Sequence, residues 1–248
     1  MSPDSRLHAA VVLGTRPEAI KLAPLVHALD AESAARVTVV NTGQHREMLR
    51  PMLELFGLVP EADLQIQRPD QTLEHVVAGV LEGLGPWLEA ERPDVLIVQG
   101  DTATTFAAGL SAFFHGVPVA HLEAGLRTAD PRVPFPEEMN RRLTSRLASL
   151  HLAPTERAAM ALRAEGVDPG SVEMTGNTVV DALRWLQEQR GETVAGAAEA
   201  ALAGIDLDGQ RLGVVTGHRR ESFGEPFRRL CRSLLEGVER HPDLVLVY

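Results

Sequence analysis

Only one cysteine, Cys231, occurs in 248 residues. A lone thiol closes no internal disulfide and completes no CxxC metal site, which fits a reducing compartment. Its expected setting is that of a small buried apolar side chain. Aromatic residues make up 4% of the chain, with a single tyrosine and two tryptophans, against 44% hydrophobic residues in all. The core must therefore be built mainly from Ala, Val and Leu. Positive charge is scarce too: 24 Lys and Arg face 34 Asp and Glu, for a formal net charge of −10. That excludes a general affinity for nucleic acid or an anionic membrane, so any anion has to be held locally. No apolar run approaches about 18 residues, and no cationic segment followed by a long apolar stretch opens the chain. Neither a membrane span nor a signal peptide is expected, and the expected setting is cytoplasmic. The G-x-G-x-x-G fingerprint and the GxxxxGK[ST] loop are both absent, and no cluster of His or Cys offers a metal site. Asp206 and Asp208 in "GIDLDG" imitate a metal-holding D-x-D pair. They precede a strand instead of following one, so no metal is assigned to them.

What the chain does have is alternation. Short apolar runs, "LHAAVVLG", "RVTVVNTG", "DVLIVQGD", "VPVAHLEAG", "SLHLAPT", "SVEMTGN", "RLGVVTGH" and "DLVLVY", are separated by helix-like segments. Runs that are apolar on both alternating positions suit strands covered on both faces, as in parallel sheets, so the fold class is α/β. Leu22, Leu25, Val26 and Leu29 fall at i, i+3, i+4 and i+7, the stripe of a helix resting on a sheet. Pro17 suits a first helical position, and Pro24 is expected to kink the helix because it cannot bond back to Ile20. Further helices are expected over 102–114 and 136–149, and a weakly specified helix or linker over 191–204. The domain change is placed between about 168 and 205, giving an N-terminal domain over 1–170 and a linker with the first part of a second domain over 171–248. The final β-α-β unit leaves most of its apolar surface uncovered, as the start of a larger domain would.

In an open parallel sheet, ligands bind where strand ends turn into helices. Those turns here are Gly14-Thr15-Arg16, Thr42-Gly43-Gln44-His45, Gly100-Asp101-Thr102, Glu123-Ala124-Gly125, Pro154-Thr155, Gly176-Asn177-Thr178 and Gly217-His218-Arg219-Arg220. Gly14 would let the backbone approach a ligand, and free N–H groups at the next helix start favour an anion. Arg16 adds a planar fork of donors and Lys21 a point charge on a long stem, which together suit a phosphate. His218, Arg219 and Arg220 repeat the arrangement in the later unit. Each group also has a purely structural alternative. Arg16 and Lys21 can be solvated helix charges, and His218 a surface histidine. Asp101 can cap a helix, and Glu123 can pair with Arg127. Glu137 and Glu138 lie in a first helical turn, where acids favour the dipole. For Glu138 an ion pair with Arg141 or Arg142 is the preferred reading.

Taken together, "GTRPEAIKLAPLV", "TGQHREML", "GDTATTF", "HLEAGLRT", "PFPEEMNR", "GNTVVDAL" and "TGHRRESFG" resemble the non-hydrolysing UDP-N-acetylglucosamine 2-epimerases along essentially the whole chain. The resemblance implies a GT-B-like architecture of two Rossmann-like domains with the sugar nucleotide between them, a homodimer, and no metal or nicotinamide cofactor. It implies that Arg16, Lys21 and His218 contact UDP, with Arg127 and Arg219 among the substrate-binding residues. Asp101, Glu123 and Glu137 become the acid and base groups, with His218 counted among the catalytic residues. Gln44 and His45 match a stretch that contributes to a second, activating UDP-N-acetylglucosamine site in bacterial members. The sequence stops where the rest of the second domain is expected, before a "DSGG"-type segment, so it reads as a truncated chain. Two other readings remain open at this level: a GT-B glycosyltransferase using a UDP-sugar, and an inactive nucleotide-binding fragment.

Overall fold

The computed structural model describes residues 6–216 and 224–248. The chain divides into two compact units, Met1–Gly191 and Glu192–Tyr248.

In the first unit, β1 (Leu7–Leu13), β2 (Ala35–Asn41), β3 (Ala62–Asp63), β4 (Val95–Gln99), β5 (Val119–Leu122), β6 (Leu150–Ala153) and β7 (Val172–Met174) form one sheet in the order β3-β2-β1-β4-β5-β6-β7. Every neighbouring pair is parallel. The order reverses at β1, so the loops after β1 and β4 meet at the switch point of a Rossmann-like sheet. Helices α1 (Arg16–Asp30), α2 (Arg46–Phe56), α3 (Leu73–Glu91), α4 (Ala103–Phe114), α5 (Glu137–Leu147) and α6 (Glu156–Ala164) connect these strands.

The alternation of β1 sends Ala9, Val11 and Leu13 into one core with Leu22, Ala23 and Val26 of α1, and Val12 into a second core with Val76, Val80 and Leu84 of α3. Covering both faces in this way buries the continuous apolar runs seen in the sequence. Leu22 and Val26 are buried, and Leu25 and Leu29 pack against the same core. Pro17 stands in the first turn of α1, and the helix runs through Pro24 to Asp30 without interruption. β3, only two residues long, carried no signal of its own.

β7 pairs with β6, so the sheet extends past residue 170, the expected end of the first domain. The helix after it, α7 (Val179–Ala201), leaves helical geometry at Arg190. Its first half belongs with the first unit: Ala182 is buried in the α1 core, and Trp185 stacks on His27 with ring centroids 4.8 Å apart.

In the second unit, β8 (Arg211–Val214) and β9 (Leu244–Val247) form a parallel pair with α8 (Glu225–Arg240) between them. Arg211 and Asp243 join their ends through a bidentate pair at 2.5 and 2.9 Å. Cys231 lies on α8 and is exposed, contrary to the buried setting expected for it. Two strands and one helix bury no residue of α8, so nothing encloses the thiol. No helix among the described residues is long and apolar enough to cross a membrane.

Candidate active site

The chemistry-bearing side chains of the first unit gather at the carboxyl ends of β1, β4, β5 and β7 and at the start of α5. At the end of β4, Gly100 turns the chain with φ +75°, and Asp101 follows. Asn140 of α5 donates an N–H to the Asp101 carbonyl at 3.0 Å. Arg141, the next residue, holds the Asp101 carboxylate at 2.8 Å. Burial pushes the Asp101 carboxyl above its ordinary range. Arg141 and Lys21 oppose that shift, while Glu137 and Glu123 reinforce it. These groups therefore act on one another's charge, which is the arrangement acid–base chemistry needs.

Glu123 follows β5 with φ +64°, a left-handed conformation in which a non-glycine residue is strained. The turn is held by donors converging on its carboxylate. Lys21 of α1 donates at 2.5 Å and Asn177, after β7, at 3.0 Å, and Gln99 at the end of β4 donates as well. Lys21 is thus an internal partner of Glu123. Arg127, the alternative partner considered for Glu123 and an expected substrate contact, is committed elsewhere. Its guanidinium donates to Glu165 at 2.7 and 2.9 Å, to the Ser145 hydroxyl at 3.0 Å and to the Leu126 carbonyl at 2.8 Å. All three nitrogens bond within the protein, so Arg127 anchors α6 and α5.

On α5 the two adjacent glutamates have separate roles. Glu138 is fully buried and accepts from Arg142 at 2.6 Å and from the Thr128 N–H at 3.2 Å, with Arg141 3.5 Å away. Glu137 keeps one carboxylate oxygen buried and unpartnered among the described residues.

The phosphate side differs in one respect from the expectation. Gly14 does not leave its N–H free for a ligand: it donates to Glu18 at 2.8 Å, and the Thr15 N–H donates to the same oxygen at 2.7 Å. Nor does the missing side chain make room for a substrate. A Cβ at Gly14 would lie 2.0 Å from the Thr42 hydroxyl and 2.8 Å from that of Thr104. The glycine admits the protein's own side chains. Arg16 remains exposed, with no side-chain hydrogen bond or ion pair among the described residues.

Gln44 is turned inward and buried. Its amide oxygen accepts from the Thr104 hydroxyl at 2.7 Å, so that oxygen is not offered to a ligand. His45 is exposed at the N-terminal end of α2. His218 and Arg219, the expected contacts from the second unit, lie outside the described residues. Among the described residues no group of three His, Cys, Asp or Glu is placed to hold a metal ion. Asp206 instead accepts the Asp208 N–H at 3.0 Å, closing a local turn.

Residue-by-residue reading names Arg141 only as a partner of Glu138 and Asn177 only as part of a turn, and gives Gln99 no role. Arg141 carried a signal, lying one helical turn beyond Glu137 and hence on the same face. Asn177 stood in a recognised strand-end turn, and Gln99 is the one amide in an otherwise apolar strand. A further support lies below. His121 of β5 is fully buried, and its Nε2–H donates to the Gly100 carbonyl at 2.7 Å. Burial pushes its pKa down to about 4, so it stays neutral at ordinary pH.

Most of the chain is similar to known proteins. The family described as UDP-N-acetylglucosamine 2-epimerase matches residues 27–248. A UDP-N-acetylglucosamine 2-epimerase of Yersinia pestis is 49% identical over 238 residues, which cover 96% of this chain and 63% of the relative. The crystal structure of UDP-GlcNAc 2-epimerase from Neisseria meningitidis bound to UDP-GlcNAc superposes with TM-score 0.89 at 41% identity, covering 97% of this chain and 65% of that one. A lipopolysaccharide outer-core galactosyltransferase, 10% identical with TM-score 0.55, shares the GT-B-like fold alone. The chain thus spans a little under two thirds of the length of these epimerases.

Proposed function

This chain belongs to the UDP-N-acetylglucosamine 2-epimerase family, and we propose that the whole protein interconverts UDP-N-acetylglucosamine and UDP-N-acetylmannosamine by elimination and re-addition of UDP. The observation that carries the reading is the convergence of Asp101, Glu123 and Glu137 with Lys21 and Arg141 on one rim, beside an exposed Arg16. A transferase needs the cations of such a rim but not three carboxylates.

The chemistry explains the number of acids. The C2 proton of an N-acetyl sugar is not next to a carbonyl carbon, and base catalysis, worth roughly 10²- to 10⁴-fold, cannot by itself support an unstabilised carbanion. The C1–O bond breaks first. Arg16 and Lys21 stabilise charge developing on the departing diphosphate. By analogy with oxyanion donors, each contributes roughly 3 to 4 kcal/mol. Positive character at C1 then makes the C2 proton acidic enough for a carboxylate, leaving 2-acetamidoglucal with UDP still bound. A proton delivered to the opposite face, and return of UDP, give the epimer.

Removal and delivery on opposite faces require two proton-handling groups. Asp101 and Glu137 take those roles, and Glu123 orients Lys21 toward the leaving group. In this reading the protein works in the cytoplasm as a homodimer, supplies precursors of surface polysaccharide, and uses His45 at a second, activating UDP-N-acetylglucosamine site. The test is turnover of UDP-N-acetylglucosamine by the full-length protein in heavy water. Product carrying deuterium at C2 is expected, and product retaining ordinary hydrogen there overturns the scheme. A glycosyltransferase would leave C2 untouched.

A further inference from the structure

Glu18 is a buried carboxylate that the proposed reaction does not use. It is 1% exposed, and its bonds run to two separate strand-end turns. Oε2 accepts the N–H groups of Gly14 and Thr15 at 2.8 and 2.7 Å. Oε1 accepts the Thr102 hydroxyl at 2.5 Å. The Thr105 hydroxyl lies 3.2 Å from the same oxygen while directing its proton to the Gln99 carbonyl at 2.6 Å.

A glutamate at this position of a first helical turn ordinarily accepts the N–H at the helix start, and that accounts for Oε2. It does not account for Oε1, whose partner is 84 residues away in the chain. Thr15 precedes Arg16, and Thr102 follows Asp101. One carboxylate thus ties the turn that presents the cation to the turn that presents the acid. Its carboxyl oxygen also occupies the N-terminal end of α1, where a ligand anion would otherwise be drawn. Burial pushes the carboxyl pKa up, and the converging donors oppose the shift.

We propose that Glu18 is a positioning residue, whose bridge from the Gly14 and Thr15 amides to the Thr102 hydroxyl holds Arg16 and Asp101 in register for diphosphate departure and C2 proton removal. The inference rests on the reaction proposed above. Arg16 and Lys21 still bind the diphosphate without the bridge, so its loss affects the chemical step and spares affinity.

The experiment compares full-length wild type with Glu18→Gln, which keeps the volume and one acceptor oxygen but removes the second. The readouts are kcat, KM, the kinetic isotope effect with substrate deuterated at C2, UDP affinity by calorimetry, and hydrogen exchange of segments 14–18 and 100–105. A misplacement of this kind predicts a fall in kcat on the order of 10²-fold, with KM and UDP affinity within about threefold of wild type. The isotope effect should rise, and exchange should quicken in both segments together. Wild-type kcat in the variant overturns the proposal. So does a loss that only tracks the folded fraction with the isotope effect unchanged. Should E18Q fail to fold, Thr102→Val removes the Oε1 half of the bridge, together with the cap that the hydroxyl gives the Thr105 N–H, and must give the same kinetic pattern, while Thr102→Ser must restore wild-type behaviour. If wild-type protein itself leaves C2 untouched, the reaction proposed above fails. The exchange measurement then decides on its own whether Glu18 couples the two turns.

Discussion

Lowering the pH should weaken the first unit through His121, by an amount the structure specifies. The imidazole is fully buried between strands, with Nε2–H donated to the Gly100 carbonyl. Desolvation, ahead of the nearby His151, Arg127 and Arg141, brings its pKa from 6.5 down to about 4. In the unfolded chain the same group takes its proton near 6.5, so between the two values the unfolded state binds more protons. The stability that the neutral ring contributes is complete above about pH 6.5 and disappears as the pH falls toward 4. A difference of about 2.5 units at about 1.4 kcal/mol per unit makes the loss about 3 kcal/mol. His121→Gln places an amide N–H where Nε2 stood and carries no proton to gain. The assay is urea denaturation of wild type and variant at a series of pH values between 7 and 4, subtracting one stability profile from the other. The difference should grow by about 3 kcal/mol across that interval, in favour of the variant at low pH. A flat difference, or an imidazole whose NMR shift titrates near 6.5 in the folded protein, would refute the reasoning.

Other perturbations follow from individual contacts. Arg141 lowers the Asp101 pKa against burial, so Arg141→Gln should move the acidic limb of kcat/KM to higher pH in the full-length protein. An unmoved limb in the pH profile would separate Arg141 from Asp101. Gly125 sits at φ +87°, and a Cβ there would lie 2.3 Å from the Ala158 carbonyl oxygen. Gly125→Ala should therefore destabilise by at least about 2 kcal/mol, read as a lowered urea midpoint. Arg127→Met breaks the pair with Glu165 and should reduce stability by roughly 1 to 3 kcal/mol while leaving UDP affinity unchanged in calorimetry. A weakened UDP affinity in that variant would place Arg127 in the substrate site.

The strands of the sheet were legible wherever a run was long enough to be apolar on both faces. The two residues of β3 were not. α1 was legible from its stripe and its Pro17 start, and α4 and α5 fell within a residue or two of the expected spans. Cys231 was misjudged because a residue type reports its average surroundings, and α8 has too little packed against it to provide them. Within the site, position was readable and partnership was not. Asp101, Glu123 and Glu137 could be singled out because strand ends and first helical turns are local features. The ion pairs of Glu138 were found because they lie three and four residues along one helix.

By itself, then, the sequence determined the alternation of strand and helix, the rim on which polar groups fall, and the motifs that mark the family. These follow from periodicities of two and 3.6 residues, which a chain carries before it folds. Only the tertiary structure decided what each charge touches: that Lys21 meets Glu123 across 102 residues, that Arg127 is taken by Glu165 across 38, and that Glu18 meets the Thr102 hydroxyl across 84. The strength of such contacts depends on distances of 2.5 to 3 Å, and no local pattern sets distances of that size between segments so far apart in the chain.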